Sequence, residues 1–105
     1  MNEHILVCVA WPYAKTSTHV GQVAGAYLPA DTFARYHRMA GDQVLMVSGS
    51  DEHGTPILVE SERLGVSPRD FVARYHQQIC EVWDKLGMSW DLYTETGTSN
   101  HYSIT

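Results

Sequence analysis

A chain of 105 residues has room for one small domain and not for two. With 44% hydrophobic and 18% charged residues it is globular rather than disordered, and a net charge of -5 excludes a non-specific nucleic-acid binder that works through basic surface alone. Two cysteines without a CxxC spacing exclude a disulfide scaffold, give a structural metal little support and fit a reducing compartment.

The N-terminus lacks the basic n-region of a secretion signal, and no apolar stretch approaches a membrane span, so a cytoplasmic protein without membrane contact is expected. Residues 4–10, HILVCVA, form a β-branched, nearly continuous apolar run, the pattern of a strand buried on both faces of a parallel sheet. WPYAKTST breaks it. From Val20 onward, Val23, Ala24, Tyr27, Leu28, Phe33, Ala34 and Tyr36 follow helical spacing up to Gly41, with a kink expected where Pro29 presses on the carbonyl of Gly25.

QVLMVSGS at 43–50 is the second strand, which completes a βαβ unit. The two strands are then parallel, and WPYAKTSTHVGQ and SGSDEHG both follow strand carboxyl ends, where open α/β sheets bind ligands. Thr55 and Pro56 read as N-cap and first position of a short helix that Gly65 stops. Ser67, Pro68 and Asp70 start a longer one that ends at Gly87, its face of Phe71, Val72, Tyr75, Ile79, Val82, Trp83 and Leu86 belonging to the core. WDLYT at 90–94 suits a further strand, and ETGTSNHYSIT has no periodicity.

His19 and Gly21 stand where such a helix begins. Free backbone N–H groups there favour an anion such as a triphosphate, and a glycine lets a flat group approach the backbone. Taken alone, H-x-G more often marks an ordinary helix start. Asp51 at a strand end can hold an ammonium group, whereas Glu52 and His53 read first as parts of a capping turn, and Asp51 with His53 lacks the further ligands a metal needs. Trp11 and Tyr13 either line an apolar pocket suited to an aliphatic or thioether side chain or plug the end of the sheet.

Taken together, LVCVAWPYA, THVGQVAGAYLPADTFARYHRMAGDQVLMVSGSDEHGTPILVESERLGVSPRDF and the later NHY resemble the N-terminal part of the methionyl-tRNA synthetases, which are class I aminoacyl-tRNA synthetases. The resemblance implies a Rossmann-type (HUP-like) α/β catalytic core over residues 1–105, seen as its first βαβ half plus the following helices and cut from a longer chain. It implies a methionine–tRNA ligase that forms methionyl-adenylate from methionine and ATP with Mg2+ as substrate, then charges tRNA through regions outside this chain. His19 matches the first histidine of the HIGH signature, a stabiliser of the ATP phosphates, and Gly21 matches its glycine. Tyr13 and Asp51 match the methionine-pocket aromatic and the carboxylate that meets the substrate ammonium, with the backbone at Ala10 and Trp11 also in contact.

Two departures stand out. Gln22 occupies the place of the second signature histidine, where its amide can donate to a phosphate oxygen as a catalytic group, and Lys15 opens a Lys-Thr-Ser stretch in place of the usual turn, adding a cation near the phosphates. No second half of the sheet, KMSKS loop, zinc-bearing insertion or anticodon-binding helices falls within 105 residues, so the piece alone is expected to be poorly active and prone to self-association through its incomplete sheet. The alternatives are a catalytically retired module that binds methionine or ATP, and a small nucleotidyltransferase with a T/H-x-G-H-like signature.

Overall fold

The computed structural model describes residues 2–105. In chain order it contains β1 (His4–Cys8), α1 (Val20–Gln22), a π-helical turn (Val23–Tyr27), α2 (Leu28–Met39), β2 (Gln43–Ser50), α3 (Thr55–Leu64), α4 (Pro68–Leu86), β3 (Leu92–Glu95) and α5 (Ser99–Ile104). The three strands form one parallel sheet in the order β1-β2-β3, with Ile5 opposite Val44, Val7 opposite Met46 and Ser50 opposite Glu95. The expected βαβ unit is therefore present, and WDLYT supplies most of the third strand.

One face of this sheet carries the core. Val44 and Met46 of β2, with Ile5 and Val7 of β1, pack against Tyr27 of the π turn, Ala34 of α2, and Ile79 and Trp83 of α4. Met46 and Ile79 are fully buried, and each such side chain contributes about 1.5–3 kcal/mol. A second cluster of Ala14, Ile57, Phe71 and Val72 seats the loop after β1 against α3 and α4. The opposite face is bare: Leu6, Leu45 and Leu92 are 63%, 58% and 54% exposed. The apolar run of β1 thus overstated its burial here, because α2 and α4 both lie on the same side of the sheet.

The long helix departs from the expected proline kink. Its irregularity lies one turn earlier, where Leu28 N–H donates to Val23 O across the π turn and Pro29 takes an opening position of α2. The wider turn gives up the α-helical register just before the residue that has no N–H to donate. The start of α3 also shifts by one residue. Gly54, at φ 143°, is the N-cap, and Thr55 is already helical. Its carbonyl accepts from Ile57 and Leu58, so no side-chain oxygen is needed. The start of α4 matches expectation, with Ser67 Oγ accepting from Asp70 N–H at 3.1 Å.

Asp31 joins α2 to the segment that leads into β3. Its Oδ1 accepts from Ser89 N–H at 2.8 Å and its Oδ2 from Arg35 Nε at 2.7 Å. Burial pushes its carboxyl up, yet the hydrogen bonds from Ser89 and Arg35 outweigh that and hold it below the usual aspartate range. Arg38 donates to Asp91 Oδ2 at 2.7 Å, and the same oxygen accepts from Met46 N–H, which sets where β3 joins the sheet.

Candidate active site

The loops after β1 and β2 are tied together by backbone bonds. Asp51 N–H donates to Pro12 O at 2.8 Å and Ala14 N–H donates to Asp51 O at 2.9 Å, which makes Tyr13 and Asp51 partners in a parallel bridge. Ala14 is fully buried beneath this bridge, so the loop is clamped by packing as well as by hydrogen bonds. Asp51 Oδ1 accepts from His53 N–H at 3.2 Å, a turn that does not provide the expected cap, since Gly54 is the N-cap of α3 without a side-chain bond, and its Oδ2 has no hydrogen-bond partner among the described residues. Tyr13, its bridge partner, is 47% exposed. The carbonyl of Ala10, at the root of the loop, accepts from the hydroxyl of Tyr27 at 3.1 Å.

His19 and Gln22 form a reciprocal cap at the start of α1. Gln22 N–H donates to His19 Nδ1, and His19 N–H donates to Gln22 Oε1, each at 3.2 Å. An accepting Nδ1 requires the neutral ring's proton to sit on Nε2, which leaves that N–H free to donate to a ligand. The Gln22 amide is divided in the same way. Its oxygen is used inward, and its NH2 group makes no hydrogen bond among the described residues. Gly21 has a local reason to be glycine, since a Cβ there would lie 3.0 Å from Cε1 and 3.1 Å from Nδ1 of the folded-back imidazole.

His19 lines an apolar cleft of about 370 Å³ with Val20, Val23, Leu28 and Lys85. Lys15 lines a different cleft, with Thr16, Thr55 and Val59 beside Glu60. The structure thus joins Tyr13 to Asp51 and His19 to Gln22, while Lys15 stands apart from the histidine and Lys85 shares its cleft.

SGSDEHG spreads its polar side chains in three directions. Glu52 Oε2 accepts from Gly97 N–H at 3.0 Å, and the His53 ring meets the Tyr102 hydroxyl at 3.1 Å. Burial, then the hydrogen bond and charge of Glu95, push the Glu52 carboxyl up to about 7. Beneath them, buried Ser50 bonds to His76 Nδ1 at 2.8 Å and to the Tyr93 hydroxyl at 3.1 Å, and His76 Nε2 lies 3.6 Å from Glu95 Oε2. Burial pushes the Tyr93 hydroxyl up to about 12, so it keeps its proton in this network.

Sequence reasoning missed three residues around these loops. Gly49 lies under the Trp11 indole, His101 stands against it at 5.9 Å between ring centroids, and Lys85 comes from the far end of α4. The glycine carried a signal as a residue without a side chain inside a strand, and His101 lay within the NHY of the resemblance without a role assigned to it. Among the described residues no group of three or more His, Cys, Asp or Glu side chains is placed to hold a metal ion, and no helix is long and apolar enough to cross a membrane.

A family model described as tRNA synthetases class I (M) matches residues 5–105. The chain belongs to this family. Relatives of this class I synthetase chain named methionine–tRNA ligase include one from Dehalococcoides mccartyi, 59% identical over 101 residues, which are 96% of this chain and 18% of the relative. Another from Roseiflexus sp. is 57% identical over 105 residues, 100% of this chain and 18% of the relative. A solved structure of Mycobacterium tuberculosis methionyl-tRNA synthetase in complex with methionyl-adenylate superposes with a TM-score of 0.90 at 24% identity, covering 98% of this chain and 20% of that one. The Rossmann-type synthetase fold expected from the motifs is thereby found. The synthetase chain spans about one fifth of these proteins, and with its family shown the small nucleotidyltransferase alternative drops out.

Proposed function

We propose that this chain is the first part of the catalytic domain of a methionine–tRNA ligase. Its reaction joins methionine to adenylate: a carboxylate oxygen of methionine attacks the α-phosphorus of ATP, the bond from that phosphorus to the bridging oxygen breaks, and pyrophosphate leaves with Mg2+. The aminoacyl group then passes to a terminal hydroxyl of tRNA and AMP is released. The observation that carries this reading is the Tyr13–Asp51 bridge at the same sheet end as the His19–Gln22 cap.

In this reading the open Oδ2 of Asp51 receives the ammonium group of methionine, the Tyr13 ring and the Trp11 indole border its side chain, and the backbone at Ala10 and Trp11 lines the floor. His19 Nε2–H and the outward amide of Gln22 donate to the phosphates as negative charge develops on the leaving pyrophosphate. Gln22 can replace an imidazole because both groups accept with one atom and donate with another. The anchored oxygen keeps the helix cap while the NH2 group supplies the donor. Gly21 completes the nucleotide side, while Lys15, which lines a separate cleft beside Glu60, contributes to it only as a cation on the loop that leads to His19. The reported adenylate complex of the Mycobacterium tuberculosis enzyme supports ATP and methionine as substrates. Transfer to tRNA rests on parts of the protein outside this chain, and a cytoplasmic location goes with that role.

Methionine-dependent exchange of pyrophosphate into ATP by the full-length gene product tests the reading, and absence of exchange with methionine would overturn it. The 105 residues alone are expected to exchange at least 10³-fold more slowly, because the other side of the phosphate site is missing. Alone they also self-associate through the bare sheet. A monomer on sedimentation at micromolar concentration would count against that.

A further inference from the structure

Helix α5 contributes no residue to either core cluster, and none of its six residues is buried. Its side chains instead reach the two loops of the candidate site. The His101 ring lies 5.9 Å from the Trp11 ring at an interplanar angle of 49°, and the Tyr102 hydroxyl meets His53 Nε2 at 3.1 Å. Thr98 Oγ1 accepts from His101 N–H at 3.1 Å, which fixes the turn that carries the histidine. On the strand beneath, a Cβ at Gly49 would stand 2.7 Å and 2.8 Å from two carbons of the indole, so the Trp11 ring lies directly on the β2 backbone. The indole is therefore bordered by Gly49 and by His101, one belonging to the central strand and the other to the last helix.

We propose that His101 is a positioning residue for the amino-acid pocket, holding the Trp11 indole against Gly49 so that its free edge borders the methionine side chain. The inference rests on the reading of Trp11 as part of that pocket. An indole resting on a strand can slide or flip outward unless something blocks it, and at 37% exposure Trp11 is not held by burial alone. A tilted aromatic neighbour at this distance supplies the block with a defined geometry. His101 touches no reacting atom. It acts on the substrate only through the position of the indole, so its effect falls on methionine and not on ATP, whose candidate donors lie on α1.

The test uses the full-length gene product with His101→Ala and His101→Phe, read by pyrophosphate exchange and by the ¹⁹F resonance of fluorotryptophan at position 11, assigned through Trp11→Phe. His101→Ala is expected to raise the methionine KM about 3- to 10-fold, the span of one aromatic pair, with kcat and the ATP KM within about twofold of the parent. The Trp11 resonance should move in the same variant. His101→Phe, which keeps an aromatic ring there, should restore both readings. An unchanged resonance together with an unchanged methionine KM overturns the proposal, and so does a parallel loss for both substrates, which would mark a merely structural role. A parent without methionine-dependent exchange is a failure of the functional reading itself. The resonance then separates the two failures, because its movement in His101→Ala still shows that His101 sets the indole position.

Discussion

Gly49→Ala offers the most demanding test of how the candidate pocket is built. A Cβ added there would sit 2.6 Å from the Thr94 carbonyl oxygen of the neighbouring strand and 2.7–2.8 Å from the Trp11 ring. Ordinary contact begins at 3.4 Å. The Thr94 oxygen belongs to the backbone of a paired strand and cannot retreat, whereas the indole, 37% exposed, is free to swing away. Gly49 is not among the glycines with positive φ, so alanine meets no backbone strain, and the loss of chain freedom in the unfolded state favours it by about 0.5–1 kcal/mol. Overpacking costs about 1–3 kcal/mol, which leaves a net destabilisation of up to about 2.5 kcal/mol. Displacing the indole also opens the amino-acid pocket. Loss of about 1.4 kcal/mol of binding is a tenfold rise in the methionine KM. Urea unfolding and pyrophosphate exchange at varied methionine read the two effects. A variant with parental stability and parental methionine KM would refute the argument that the indole rests on that strand.

Other substitutions address separate parts of the site. Gln22→His, which keeps an inward acceptor and an outward donor, should hold kcat within about tenfold of the parent, while Gln22→Glu keeps the acceptor, loses the donor and should lower kcat by about 10²- to 10³-fold; equal rates for the two variants would remove Gln22 from the phosphate site. Because the folded-state value of Glu52 is raised from 4.5 to about 7, the stability linked to its proton is fully present below pH 4.5 and is lost as the pH rises through about 7. Unfolding free energies of the parent and Glu52→Gln should therefore diverge between pH 5 and 8, and parallel curves would contradict the shared proton. Asp31 runs the other way. Its carboxyl is held below the ordinary value of 3.8, so its contribution is present above that pH and is lost as the pH falls through the folded-state value. Asp31→Ala also strands Ser89 N–H and should cost about 2–3 kcal/mol in urea unfolding, with a loss under 0.5 kcal/mol counting against the joint between α2 and β3.

Much of this site was readable in the sequence because its information is local. HILVC and QVLMVSGS are short apolar runs, and the helix between them fixes the parallel sense, so the loops that carry Tyr13, His19 and Asp51 had to lie at one sheet end. The Tyr13–Asp51 bridge required packing of Ala14 beneath it, which no spacing rule announces. His19 and Gly21 looked like a ligand signature, and the cap gives the same spacing a reason inside the chain itself. Helix α5 went unseen because six residues are too few to display a period, although Thr98 is a good N-cap. The bare sheet face agrees with the incomplete sheet expected of the sequence, although the run of β1 by itself suggested burial on both sides. An apolar run reports that both faces will be covered, and says nothing about how much more chain is needed to cover them.

That bare face is a problem of timing during synthesis. Leu6, Leu45 and Leu92 share it, so it is complete as soon as β3 pairs with β2, long before a protein the length of the Dehalococcoides relative is finished. If this chain opens a protein of that length, as the proposed function has it, the 101 matched residues are 18% of the whole and about 460 more would follow, which takes about 20–90 s at the usual 5–20 residues per second. For that interval a folded α/β layer would hang from the ribosome with three leucines facing water. In such a nascent chain the apolar face is open to aggregation for that interval, and slowing translation after residue 95 should lengthen its exposure.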